Sequence, residues 1–274
     1  MNKNKYIIGT GWWCSEPDQD DDRKVFGDQE IRGESFHYKW AESVTRNTSP
    51  IGIVMIDSNS PISPPKVDGL DYQYIKLNEN AGHVTNMKGK YCGWSRSILL
   101  GLEYASLCDC DYFVYVEQDV LLGGEGIIEE CIKHFPKNKN YMFGKETQRP
   151  QPIQQSFFII KKEGFDRFIS NYRSIKPGDP KIAPEIRFCL STSKFCALIP
   201  KFVFFKSRSK LGKVLRPIQS ILAKLIGEFA YLPVGYGRER PIGFGDDHFY
   251  FQHASADELE KYKQGQDKNG AAEK

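Results

Sequence analysis

The hydrophobic pattern of this chain changes period repeatedly. Short apolar runs rich in β-branched and aromatic residues alternate with longer stretches where apolar positions recur every three or four residues. The short runs are Tyr6-Ile7-Ile8, Ile51 to Asp57, Tyr72 to Leu77, Tyr112-Phe113-Val114-Tyr115-Val116, Tyr141-Met142-Phe143 and Ser156 to Ile160. Each predicts a strand. Helices are predicted over Ser35 to Arg46, within Lys88 to Leu107, over Glu125 to His134, over Glu163 to Tyr172 and from Pro184 through Leu190. In the second of these, Ile98, Leu99, Leu102 and Ala105 form one apolar stripe. Pro184 suits a first helical turn, where its missing N–H does no harm. Gly9-Thr10-Gly11 ends the first strand in a tight turn, and Ser58-Asn59-Ser60-Pro61 stops the second.

Alternating strands and helices predict an α/β sandwich with a largely parallel central sheet. The Tyr112 run has no polar break, as expected of a strand buried on both faces. In such sheets ligands gather at the carboxyl ends of strands. Asp57 ends one strand, and Glu117-Gln118-Asp119 follows another. If that strand continues through the motif, Glu117 and Asp119 share a face and Gln118 takes the other. Two carboxylates on one side attract a hard cation, Mg²⁺ or Mn²⁺. By itself an E-x-D is more simply a solvated strand end.

Composition narrows the class. With 274 residues, 40% hydrophobic and 27% charged, the chain reads as globular. No repeat or linker interrupts it, so one domain is expected over 1–256, followed by a polar, flexible tail over 257–274. The acidic loop with Asp18, Asp20, Asp21 and Asp22 reads as solvated. A net charge of +3 is too small to argue for nucleic acid. Met1 to Lys5 leads into few apolar residues, so no export signal is expected. No apolar run approaches the roughly 20 residues of a spanning helix. Seven cysteines, odd in number and irregular in spacing, fit a reducing cytoplasm. Cys108-Asp109-Cys110 lacks the gap and second ligand pair of a zinc site, and a turn is expected there.

Several features stand in a telling order: a first strand with a Thr-Gly turn, a second ending in Asp57, and a helix carrying Trp94-Ser95-Arg96. The strand closing on Glu117-Gln118-Asp119 follows, and Phe249-Tyr250-Phe251-Gln252-His253 comes late. From about Lys5 to Ser255 this order resembles the GT-A glycosyltransferases, especially the family-2-like enzymes of bacterial surface polysaccharide assembly. The resemblance implies a Rossmann-like α/β/α sandwich, a nucleotide-sugar donor, and a glycan or lipid-linked glycan acceptor. It implies a divalent metal on an Asp-x-Asp motif, matched here with Glu in first place. Asp119 is then the direct ligand, with Glu117 acting through water or on the ribose. His253 would complete the metal shell, with His248 as its competitor. Asp57, Thr10, Arg96 and Gln118 would line the nucleotide-sugar pocket, and Trp12 or Trp13 could stack on a base or sugar. An inverting enzyme needs a base for the acceptor hydroxyl. The resemblance puts it at the helix start Ala183-Pro184-Glu185, so Glu185 is first choice and Asp179 second. The usual paired acid beside Glu185 is absent. Gln154 and Gln155 are candidates for sugar hydroxyls.

Lys201 to Lys224 holds seven cations and no acid, interleaved with apolar residues at helical spacing from Leu211 to Ile226. Pro217 is expected to kink or delay that helix. A basic amphipathic segment over 201–228 suits either an anionic membrane surface or a core helix with one charged face. No nucleic-acid motif accompanies it. The expected location is the cytoplasm, with peripheral contact at the inner face of the membrane. Two other readings stay open. One is a non-catalytic nucleotide- or glycan-binding protein on the same fold. The other is a sugar nucleotidyltransferase, which would want a basic phosphate loop that Gly9-Thr10-Gly11-Trp12-Trp13 does not supply.

Overall fold

A computed structural model describes residues 4–15, 27–83, 87, 89–207 and 210–271. The loop with Asp18, Asp20, Asp21 and Asp22 lies outside them. Ten strands and seven α-helices are found among the described residues. They begin with β1 (Tyr6–Trp12), α1 (Glu34–Asn47), β2 (Gly52–Asp57), β3 (Gln73–Lys76), α2 (Gly93–Leu107) and β4 (Tyr112–Val116). Next are β5 (Val120–Gly123), α3 (Ile127–Lys133), β6 (Tyr141–Gly144), β7 (Gln154–Lys161), α4 (Phe165–Ser174) and α5 (Pro184–Thr192). The last are α6 (Lys210–Ile226), β8 (Ala230–Tyr231), β9 (Gly235–Gly237), β10 (Phe249–Gln252) and α7 (Ala256–Ala271).

Seven strands make the central sheet in the order β3-β2-β1-β4-β7-β6-β8. Every pairing is parallel except those of β7 with β4 and with β6. The protein is therefore an α/β sandwich with a mostly parallel sheet. Alternation along the strands divides the core. Ile7, Val54, Ile56, Phe113, Tyr115 and Phe158 point to the side covered by α2, α4 and α5. Ile8, Ile53, Met55, Val114, Val116 and Phe157 point to the side covered by α1 and α3. Because both faces are buried, the strands read as unbroken apolar runs.

The connections fix where a ligand can sit. From β1 the chain steps outward through α1 to β2 and β3. It then returns through α2, on the opposite face, to β4 on the far side of β1. Strand order thus reverses between β1 and β4, and a crevice opens beyond their carboxyl ends.

Besides the two-residue edge strand β8, the sequence pattern misses two features. The first is a small sheet in the order β5-β10-β9. β4 does not run on through the acidic motif; a turn closed by Val120 N–H donating to the Glu117 carbonyl (3.0 Å) redirects the chain into β5. β5 then pairs antiparallel with β10. Gly124, at φ +94, allows close approach here, since an added Cβ would lie 1.9 Å from the Asp247 carbonyl oxygen. The second is α7, where a flexible tail is expected. Leu259 and Tyr262 are buried against Phe249 and Phe251, and the Tyr262 hydroxyl donates to the Leu122 carbonyl (2.6 Å). Two apolar positions one turn apart anchor an otherwise polar helix.

Candidate functional site

The crevice between the ends of β1 and β4 is lined by Trp13, Trp94, Ser58, Glu117, Gln118 and Asp119, among others. Its floor is the start of α2, which approaches the β2 end closely: a Cβ on Gly93 would sit 2.5 Å from the Ser58 hydroxyl. Gln118 ties the acidic turn to β1. Its Oε1 accepts from the Trp13 N–H (2.6 Å) and its Nε2 donates to the Trp13 carbonyl (2.9 Å).

The two acids meet on a residue not singled out in the sequence. Gln252, at the end of β10, donates from Nε2 to Glu117 Oε2 and to Asp119 Oδ1, each at 2.9 Å. Asp119 is 2% exposed, Gln252 6%. The amide supplies positive hydrogens where two carboxylates would otherwise repel. Turn and amide together, rather than strand alternation, bring Glu117 and Asp119 to one place.

His253 follows Gln252 in the left-handed region at φ 58. That conformation costs energy for a non-glycine residue and marks sites held by their surroundings. It brings His253 Nε2 to 3.5 Å from Asp119 Oδ2. His248 is turned away, with Nε2 2.9 Å from the Glu125 carbonyl.

A carboxylate and an imidazole nitrogen are donors that Mn²⁺ accepts, and carboxylates suit Mg²⁺ as well. Among the described residues no three His, Cys, Asp or Glu side chains gather as a ready-made metal shell. The donor set present fits a cation completed by substrate oxygens and water, as Mg²⁺ sites with one or two carboxylates commonly are.

The other sequence candidates fall into different places. Asp57 ends β2 but is fully buried, accepting from the Tyr74 hydroxyl (2.5 Å) and the Ser60 N–H (2.7 Å). It shapes the loop that carries Ser58 into the crevice. Burial and the Asp57 partner push the Tyr74 hydroxyl up to about 12. Thr10 is buried within β1, which runs on through Gly9-Thr10-Gly11 to Trp12 in register with β2, where a tight turn is expected from the sequence. Arg96 lies on the first turn of α2, where its Nη1 pairs with Glu79 (2.6 Å). Trp12 is buried, with its indole N–H on the Ile62 carbonyl, so Trp13 is the tryptophan of that pair that lines the crevice.

Asp179 differs from its expected role. It is fully buried, accepts the Cys92 N–H (2.9 Å) and stands 3.3 Å from Arg187 Nε, itself fully buried. A base must meet the acceptor hydroxyl, and this carboxylate is enclosed in an ion pair under α5. Glu185 remains half-buried at the α5 start, where its Oε1 accepts from Gln151 Nε2 (3.0 Å). Gln151 Oε1 in turn accepts from Arg238 (2.6 Å). Gln154 is a structural clamp: its amide joins the Lys145 and Tyr236 carbonyls to the Arg238 N–H. Gln155 is likewise buried in β7.

No protein-family model matches the chain, and no curated protein matches its sequence. Solved structures that align with the chain include GlyE, a glycosyltransferase of Streptococcus pneumoniae TIGR4, at 10% identity and a TM-score of 0.37. The alignment covers 85% of this chain and 46% of that one. TarS of S. aureus aligns at 9% identity and a TM-score of 0.43, over 95% of this chain and 38% of its own. An active-site mutant of LgtC aligns at 10% identity and a TM-score of 0.39, over 82% and 72%. The chain thus spans less than half the length of the first two.

Proposed function

We propose that the protein is a metal-dependent glycosyltransferase that moves a sugar from a nucleotide-diphosphate donor to a glycan or lipid-linked glycan. The observation that carries this reading is the Glu117–Asp119 pair held by Gln252, with His253 Nε2 3.5 Å from Asp119, where the acidic turn meets the switch-point crevice. The expectation drawn from sequence order and the folded geometry support the same residues.

The reaction breaks the bond between the anomeric carbon and the diphosphate, so negative charge grows on the leaving group. A bound divalent cation acts as a Lewis acid toward that charge. Asp119 and His253 would hold it, with Glu117 beside them. Gln252 fixes both carboxylates before substrate arrives, which removes the cost of gathering two like charges during the reaction. Trp13 and Trp94 give the crevice flat apolar walls for a base or sugar ring. Glu185 is the residue proposed to take the acceptor hydroxyl proton, and Gln151 orients its carboxylate.

A thermal-shift screen of UDP, GDP, CMP and TDP with Mn²⁺ tests the reading. Stabilisation by one nucleoside diphosphate, dependent on the metal, is expected. No response to any of them would count against it.

A further inference from the structure

Helix α6 packs Leu222, Ala223 and Ile226 against the core and carries a second apolar stripe outward. Val214, Ile218, Ile221 and Leu225 fall at one helical stripe and are 50–77% exposed. On the opposite side the polar Gln219 and Ser220 are buried: Gln219 donates to the Val203 and Phe205 carbonyls, and Ser220 to the Pro150 carbonyl. A helix that served the core alone would carry polar residues along its outward stripe. In the chain preceding α6, Phe202 is 70% exposed and Leu198 is 81% exposed. Pro217 sits inside the helix without ending it.

We infer that this face docks the protein on an anionic lipid bilayer. Charge selects the occupant. From Lys201 to Gly227 the chain has seven Lys or Arg and no Asp or Glu. A second copy of the same face would bring like charges together. An anionic headgroup layer attracts Arg216 and Lys224 of α6 while the apolar stripe enters the acyl boundary, whereas Lys206 donates to the Asp179 carbonyl instead. No helix among the described residues is long and apolar enough to cross a membrane, so the contact lies in the interface plane. The Pro150 carbonyl held by Ser220 is one residue from Gln151, which bonds Glu185. On the glycosyl-transfer reading, on which this last step rests, docking sets the proposed acceptor base beside a lipid-linked substrate.

The test is flotation of the full chain with phosphatidylcholine vesicles and with vesicles containing phosphatidylglycerol. Variants Ile218→Glu/Ile221→Glu and Arg216→Glu/Lys224→Glu are compared, with folding checked by circular dichroism. Binding to the anionic vesicles alone, cut more than tenfold by either pair of changes, is the expected result. Absence of wild-type flotation, or flotation indifferent to both pairs, overturns the inference. So does a dimer in light scattering that the Ile pair dissociates without any vesicle binding. Nucleotide binding in solution, measured on the same Ile variant, is expected to stay unchanged. Its loss in every protein alongside intact flotation would strike the glycosyltransferase reading and leave the docking face standing.

Discussion

Gln252 donates to Asp119 across 2.9 Å although 133 positions separate them in the chain. The same nitrogen holds Glu117, so one amide organises the acidic pair. Gln252→Leu removes that donor and leaves two carboxylates facing each other with less compensation. A stability loss of about 1–3 kcal/mol is expected, measured by urea denaturation. The loss should shrink when Mn²⁺ is present, because a cation can replace the amide as the neutralising partner.

Asp179 and Arg187 form a fully buried ion pair beneath α5. Removing one partner strands the other in a low-dielectric site. Asp179→Ala is therefore expected to cost about 3–5 kcal/mol of stability. Glu185→Gln, at a half-buried position, should melt within a few degrees of wild type and lose transfer. Calorimetry of both variants separates the structural acid from the proposed base.

His37 is 3% exposed and packed among Trp12, Trp40 and Tyr72. Burial lowers its pKa to about 4. Between the ordinary histidine value and about 4 the unfolded chain binds a proton that the folded chain does not. Stability is therefore complete above the ordinary value and falls as pH drops through this window, by about 3 kcal/mol in total. Melting curves from pH 7 to pH 4 check it, and His37→Phe should flatten the slope.

Six of the seven cysteines are buried, and Cys108 is half-buried, none of them in a disulfide. Burial pushes the Cys92 and Cys110 thiols up to about 11, so neither offers much thiolate at neutral pH. A thiol reagent on the native protein should modify Cys108 rapidly. The other six should react on denaturation, and a count by mass spectrometry decides it.

The parts of this fold that were legible in sequence share a physical cause. β1, β2, β4 and β7 are buried on both faces, so burial alone makes them apolar runs, and the alternation with helices predicts the sandwich. The small sheet was hidden because β5 follows the acidic motif through a turn that looks like a continuing strand. α7 was hidden because two apolar residues suffice to anchor it. Within the site, Glu117 and Asp119 were visible as charges, and His253 by resemblance. Gln252 was not visible, since a glutamine shows its use only when its distant partners are known. Asp57 was visible as an acid at a strand end and Asp179 only by resemblance, and neither position shows in the sequence that Tyr74 and Arg187 engage them in the fold.

The central claim is that Asp119 serves a metal-assisted departure of the donor diphosphate. Donor hydrolysis by wild type and Asp119→Asn, each with Mn²⁺ and with EDTA, measures it most directly. The account predicts turnover with metal in the wild type, loss in EDTA, and a fall of on the order of a hundredfold or more in the folded variant. Equal turnover in EDTA, or full activity in Asp119→Asn, would contradict it.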